Sequence, residues 1–149
     1  MRKFAYAAGL VALTFFAFVV WILFINGKER WVVPPMDITV TDKNGRALVI
    51  ERGDVSIENH VIKEVLYEVK ADGHIVIPPQ KAWMHNSMGT PFNWTRITID
   101  PEGFKSCYEE VSLEIAHMVG DLPPRRLQWV FRLAEEGSKG SCEVIWPAL

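Results

Sequence analysis

An uncharged, apolar segment near the amino terminus constrains this chain more than any other feature. It begins at Phe4, ends at Ile25, and has basic residues on both sides. As an α-helix, roughly 22 residues extend over about 33 Å, whereas the hydrocarbon layer of a bilayer is about 30 Å thick. We therefore predict a signal-anchor transmembrane helix within residues 1–30.

A cleaved signal peptide is the alternative interpretation of this segment. Its apolar part is longer than that of most signal peptides, no small-residue cleavage site follows at a suitable distance, and no cysteine is placed to accept a lipid. Retention as an anchor is therefore favoured. The N-terminal side of the segment carries slightly more positive charge than its C-terminal side, which predicts a cytoplasmic N terminus. We expect a single-pass protein of the bacterial inner membrane with its C-terminal domain in the periplasm.

The two cysteines, Cys107 and Cys142, agree with an exported domain. They do not form a CxxC motif, and a lone pair in an oxidising compartment most simply forms a disulfide. Closing a loop of about 36 residues stabilises a fold by ~3.8 kcal/mol in the chain-entropy model. Two unpaired, buried thiols in a cytosolic domain are the alternative.

Composition limits the classes of partner. The net charge is −2, and no Lys/Arg cluster is longer than Arg125–Arg126, so the phosphate-neutralising surface of a nucleic-acid-binding protein is missing. Apart from the anchor, the chain has room for one small domain with a single core. We predict a membrane partner through the single span and a protein partner, but no nucleic acid.

The remainder of the chain is patterned as a β protein. Residues 31–35 contain Pro34 and Pro35 and are predicted to be a short tether, with the domain over residues 36–149. Beyond it, apolar and polar residues alternate between turn signals rich in Gly, Asp, Asn and Pro. Seven or eight short strands are predicted among the nine stretches that show this pattern, which are residues 36–41, 47–50, 55–58, 61–69, 74–77, 94–100, 107–119, 127–133 and 142–146. The predicted fold is mainly β, an antiparallel two-sheet β-sandwich of transthyretin-like or immunoglobulin-like type.

Three stretches, in their order, resemble the carboxypeptidase regulatory-like, transthyretin-like domain. They are residues 38–48 (ITVTDKNGRAL), 69–78 (VKADGHIVIP) and 97–104 (ITIDPEGF). The resemblance implies a non-enzymatic accessory or binding module. Related hydroxyisourate hydrolases carry a C-terminal Tyr-Arg-Gly-Ser, whereas this chain has Val-Ile-Trp-Pro-Ala-Leu at its end, so that activity is not implied.

Residues 80–93 fit neither period and are predicted to be the longest irregular connection. Large apolar side chains there and just after it suggest a partner-binding loop, formed by Trp83, Met84, Met88, Phe92 and Trp94. The equally open alternative is that the loop covers one end of the core. Residues 93–95 also match a glycosylation sequon. The Arg-Gly-Asp triplet at residues 52–54 is interpreted as a turn rather than an adhesion motif.

No motif predicts catalysis or a cofactor. The four histidines lack metal-ligand spacing. The second hypothesis, a membrane-tethered hydrolase or metal-dependent enzyme, would require His74, His85 and an acid to converge in the fold. A third hypothesis is a subunit of a membrane complex, with the span packed through small residues around Gly9. We therefore expect a non-enzymatic, membrane-anchored, extracytoplasmic protein-binding or accessory domain. An immunity or accessory factor of an envelope secretion system is one concrete version of this hypothesis.

Overall fold

A computed structural model describes residues 2–21, 27–85, 93–113 and 122–146. Helix α1 spans Arg2–Val20. None of the helices in this part of the chain combines the length and the apolar character that a membrane crossing requires. The last residues of the predicted span, 22–25, lie outside the described residues. The residues of α1 from 9 to 18 are all exposed, and the hydroxyl of Thr14 donates to the carbonyl oxygen of Leu10 at 2.9 Å.

The rest of the described chain is mainly β and forms three sheets. A two-stranded ribbon pairs β1 with β6, a five-stranded sheet has the order β10-β9-β2-β5-β4, and a three-stranded sheet has the order β3-β7-β8. The strands are β1 Gly27–Val33, β2 Met36–Thr41, β3 Val55–Asn59, β4 Glu68–Val69, β5 Ile75–Ile77, β6 Gln80–His85, β7 Asn93–Ile99, β8 Cys107–Leu113, β9 Leu127–Arg132 and β10 Glu143–Ile145. Side chains from all three sheets meet in one hydrophobic core.

Strand β2 lies at the centre of the five-stranded sheet. Its alternate residues Met36, Ile38 and Val40 are buried, as the period-two pattern predicts. Strand β5 is its antiparallel neighbour on one side, and β9 runs parallel to it on the other. The predicted mainly β class is confirmed, and the several sheets are consistent with a sandwich. The pairing is not purely antiparallel, because β9 runs parallel to β2, and the two-stranded ribbon is a third sheet beside the two larger ones. A parallel pair needs only a long crossover, and alternation within a strand carries no information about the direction of its neighbour.

The three-stranded sheet is joined to the five-stranded sheet by the predicted disulfide. Cys107 begins β8 and is completely buried, whereas Cys142 immediately precedes β10. Their Cα atoms are 5.7 Å apart and the bond is present. The disulfide prediction is confirmed, and the bond connects strands that belong to different sheets.

The ribbon corrects two expectations about irregular segments. Residues 31–33 of the expected tether belong to β1, where Val32 and Val33 are fully buried. Residues 80–85 of the expected loop form β6, which pairs with β1. Neither strand is recognisable alone, because each has charged residues where a regular alternation would continue. The pairing itself makes them strands.

The side-chain amides of half-buried Asn59 and buried Asn93 fasten the ribbon to the three-stranded sheet. The side-chain nitrogen of Asn59 lies 3.1 Å from the carbonyl oxygen of Val32 and 2.9 Å from the hydroxyl of Thr95. The side-chain nitrogen of Asn93 also donates to the Val32 carbonyl. These side chains supply the hydrogen bonds that a neighbouring strand would otherwise provide, so the ribbon needs no ladder with β7.

Several local predictions are confirmed and two are wrong. The hairpin of β4 and β5 turns at residues 71–73 as predicted, and the Arg-Gly-Asp triplet forms a short 3-10 turn. The expected strand over 47–50 contributes only a single bridge, between Ala47 and Thr41. Of the expected strand over 61–69, only the last two residues are paired. Apolar residues in both stretches pack on the core from irregular backbone, which imitates the pattern of a strand.

The turn after β2 is stabilised by a side chain. The carboxylate of Asp42 accepts hydrogen bonds from the backbone N–H groups of Arg46 at 2.9 Å and Asn44 at 2.8 Å. These bonds, that from Arg46 foremost, hold the pKa of Asp42 below its ordinary value. The turn therefore closes on an ionised carboxylate.

Candidate functional site

The outer face of the three-stranded sheet carries a row of alternating charges. Arg96 on the central strand β7 lies opposite Glu58 on β3 and opposite Glu110 on β8. The Arg96 Nε donates to the Glu110 carboxylate at 2.7 Å, and a second guanidinium nitrogen donates to the same oxygen. An arginine guanidinium is always charged in proteins, and this hydrogen bond and the charge of Glu110 raise the pKa of Arg96 further.

Two aromatic rings flank the same guanidinium. The Arg96 Cζ is 5.4 Å from the centre of the Trp94 ring and 5.7 Å from the centre of the Tyr108 ring. Both distances lie within the range of cation–π attraction. We call the surface formed by Trp94, Arg96, Tyr108 and the two glutamates the β7 face.

The alternation of β7 explains why these side chains are on the surface. Asn93, Thr95, Ile97 and Ile99 point inward and are buried, so Trp94 and Arg96 point outward. Tyr108 is 65% exposed, whereas Trp94 is partly buried with its ring centre 6.0 Å from that of His60. The β7 face therefore presents one supported indole and one open phenol on either side of a fixed cation.

An open strand edge lies beside this face. Strand β8 has β7 as its one sheet neighbour among the described residues, and it is seven residues long. Its far side carries backbone N–H and C=O groups of the kind that can pair with a further strand. A polypeptide that paired with β8 would lie next to Tyr108 and Glu110.

The structure separates the residues of the predicted partner-binding loop. Trp83 is 57% exposed on the ribbon, Met84 is buried in the core, and Trp94 belongs to the β7 face. Met88 and Phe92 lie outside the described residues. Met84 therefore contributes to packing rather than to a contact surface, because the alternation of β6 turns it inward beside the exposed Trp83.

Sequence reasoning missed Arg96 and Tyr108. A signal for Arg96 exists, since it is two residues from Trp94 and therefore shares its side of the strand. The position of Tyr108 depends on the register between β7 and β8, which the sequence does not specify. The glycosylation sequon at residues 93–95 has an inaccessible acceptor in this fold, because Asn93 is 1% exposed and its side chain donates a hydrogen bond to the Val32 carbonyl.

The alternative hydrolase hypothesis requires His74 and His85, and the strands that carry or adjoin them belong to different sheets. His74 lies in a shallow depression of the five-stranded sheet, with its Nδ1 3.4 Å from the Thr39 hydroxyl. The nearby Asp37 carboxylate is held by Arg126, at 2.9 Å to each oxygen. His85 ends β6 of the ribbon, in a different sheet. Within the described ranges, no three metal-ligating side chains cluster together.

Comparison with protein-family models, with curated proteins and with solved structures finds no match for this chain.

Proposed function

We propose that this chain is a membrane-anchored, non-enzymatic protein-binding domain whose contact surface is the β7 face. The observation that carries the proposal is the placement of Arg96 between Trp94 and Tyr108 on an exposed sheet. Trp, Tyr and Arg are the residue types most enriched among the few residues that dominate protein–protein binding energy. Here all three are adjacent and pre-positioned, so binding requires little further ordering of their side chains.

The neighbouring edge of β8 supports a polypeptide as the ligand. A partner strand would gain main-chain hydrogen bonds from β8, and its side chains would lie across Tyr108 and Glu110. The alternating charges of Glu58, Arg96 and Glu110 would discriminate among such strands, because a misplaced charge opposes a fixed like charge. Main-chain pairing along β8 thus adds to the affinity that the β7 face supplies, and the charges of that face select among strands.

Membrane anchoring is part of the proposal. It is supported by the uncharged apolar segment from Phe4 to Ile25 and by the exposure of large apolar side chains along α1, such as Leu13 and Phe16, both 69% exposed. Apolar surface of this kind is unfavourable in water by roughly 25 cal/mol per Å². The disulfide supports an oxidising compartment, and a periplasmic domain on the bacterial inner membrane combines both features.

The proposed fold family is the transthyretin-like sandwich, on the strength of the three motif stretches in residues 38–48, 69–78 and 97–104. In that family the domain commonly serves as an accessory or binding module. An immunity or accessory role in an envelope secretion system is one concrete form of this function for a small anchored domain.

The test is quantitative recovery of crosslinked partners. The tagged full-length chain is expressed in its native host, crosslinked in intact cells and purified, and the bound proteins are quantified by mass spectrometry. We expect Arg96→Ala to reduce recovery of the physiological partner about tenfold or more, as for a residue that dominates an interface. Tyr108→Ala is a second variant, and its exposed side chain makes little contribution to folding.

Arg132→Ala is the matched control. Arg132 also lies on a strand, and it forms an ion pair with Glu143 of the neighbouring strand β10 at 3.2 Å. Its side chain is 39% exposed, compared with 42% for Arg96. It belongs to the other sheet, so its loss should leave recovery unchanged. If no protein is depleted by Arg96→Ala or Tyr108→Ala relative to Arg132→Ala, the β7 face is not the contact surface.

A further inference from the structure

The ribbon carries a second aromatic and cationic surface that the protein-binding proposal does not use. Glu29, Trp31, Lys81 and Trp83 occupy one side of the β1–β6 pair, because Glu29 lies opposite Trp83 and Trp31 lies opposite Lys81. We call this side the ribbon face. The other side faces the protein, with Met84 in the core.

Both indoles of the ribbon face are held in place. The Lys81 Nζ lies 4.4 Å from the centre of the Trp31 ring, which is within cation–π range. The indole of Trp83 lies directly over Gly27, where a Cβ atom would overlap its ring atoms. Glycine thus allows the indole to lie along the strand. Trp83 is nevertheless 57% exposed, so a large aromatic surface faces outward from a rigid support.

The position of the ribbon in the chain determines what can cover this face. Gly27 begins β1 only two residues after Ile25, the last residue of the apolar segment. Two residues span at most about 7 Å, so the first strand of the ribbon begins next to the end of that segment. If the segment is embedded in a bilayer, the ribbon lies at the depth of the lipid headgroups.

The residue types on the ribbon face fit this environment. Lys81 contributes a cation there beside the carboxylate of Glu29, whereas Lys28 and Arg30 lie on the alternate side of β1, opposite Met84 and Ala82. Basic side chains attract anionic headgroups, and tryptophan prefers the interfacial layer because its ring is apolar and its N–H donates a hydrogen bond. On the ribbon face these two residue types are Lys81 and the indoles of Trp31 and Trp83.

We propose that the ribbon face docks on the headgroup layer of the membrane, with Trp31 and Trp83 inserted among the lipids. This inference rests on the proposed membrane anchor. It assigns the ribbon a role in fixing the orientation of the domain, since a second contact beside the helix limits rotation about a single attachment point. The β7 face would then be presented at a defined angle to the membrane surface.

The test measures tryptophan quenching by lipid. The full-length chain is reconstituted into vesicles of phosphatidylcholine and phosphatidylglycerol, with or without bromine near the carbonyl end of the acyl chains. Bromine quenches only indoles that reach its depth. Trp83→Phe removes a quenched fluorophore, so we expect it to lower the quenched fraction of the total fluorescence.

Trp146→Phe is the matched control. Trp146 has a similar exposure of 53% but packs on Trp129 of the five-stranded sheet, with ring centres 5.0 Å apart. Its removal takes away an unquenched fluorophore and should raise the quenched fraction. The two variants are therefore expected to change the signal in opposite directions.

Co-flotation of the wild-type chain with the vesicles distinguishes failure of the ribbon docking from failure of the membrane anchor. Flotation without loss of quenching in Trp83→Phe overturns the docking of the ribbon and leaves the anchor intact. Shielding of Trp83 from acrylamide in the absence of quenching by bromine shows that protein covers the face, and this also overturns it. Failure of the wild-type chain to float after a urea wash overturns the anchor and the ribbon docking together.

Discussion

Two glycines show how the same backbone conformation can have different steric surroundings. Gly45 and Gly73 adopt φ values of +79° and +78°, a region that L-residues with a Cβ atom occupy at a cost. At Gly45 a Cβ would meet open space, whereas at Gly73 it would overlap the carbonyl oxygen of Leu48. Position 73 therefore requires glycine for two reasons, the positive φ and the lack of space for a Cβ atom, whereas position 45 requires it only for the positive φ.

This difference predicts unequal costs of substitution. We expect Gly45→Ala to lower the free energy of unfolding by about 1 kcal/mol, from backbone strain alone. Gly73→Ala should lower it by about 3 kcal/mol, because a backbone oxygen cannot move away as the end of a side chain could. Urea unfolding of each variant, followed by far-UV circular dichroism, measures both values. Equal losses would show that the approach of Leu48 to Gly73 relaxes without cost.

Among the elements, β10 depends most on a covalent bond. It pairs with β9 through three residue pairs at the edge of the five-stranded sheet. The disulfide next to its first residue attaches it to β8 of the other sheet. Short edge strands open readily, so the bond is the main restraint on the C-terminal strand in the described chain.

Removal of the disulfide is therefore expected to destabilise the fold by up to ~3.8 kcal/mol, the chain-entropy value for a loop of about 36 residues. Cys142→Ser should show this loss together with faster hydrogen exchange at the amides of residues 143–145. Cys107→Ser should cost more, because Cys107 is 0% exposed and the new hydroxyl enters the core without a designed partner. Urea unfolding and exchange mass spectrometry test both, and identical values for the two variants would contradict the role of burial.

At the scale of the whole molecule, an apolar helix is joined to a folded β domain with its own core. Large side chains of α1, among them Leu10 and Phe15, are more than half exposed, whereas the β domain buries large side chains such as Phe131 and Ile97 in one core. The proposed anchor resolves this contrast, since lipid would cover the helix. The location of the protein then depends on α1 rather than on the β domain.

A charge in the middle of α1 should therefore release the chain from the membrane. Phe15→Lys replaces a favourable insertion term by an unfavourable one of about 3 kcal/mol at the centre of a span. We expect a larger carbonate-extractable fraction for Phe15→Lys than for the control Phe15→Leu, measured by immunoblotting of host membranes. Equal retention of both variants would contradict anchoring by α1. The disulfide provides an independent check that the domain still folds.

The candidate site shows where prediction from sequence ends. The sequence predicts Trp94 as a contact residue because it is a large aromatic residue next to an irregular stretch, but it does not predict which residues lie beside Trp94 on the surface. Arg96 shares its side of β7 by period two, whereas Tyr108 arrives through the register of β8. Met84 was misassigned because residues 80–85 show no regular alternation, although their pairing with β1 turns Met84 inward.

The sequence by itself determined the apolar segment, the mainly β class, most strands and the pairing of the only two cysteines. These depend on local period, composition and count, which are properties of neighbouring residues. Only the tertiary structure decided the parallel contact of β2 with β9, the ribbon of β1 and β6, and the positions of Arg96 and Tyr108 beside Trp94. Those arrangements depend on backbone hydrogen bonds between distant strands, and such bonds are available to almost any residue and leave little trace in side-chain pattern.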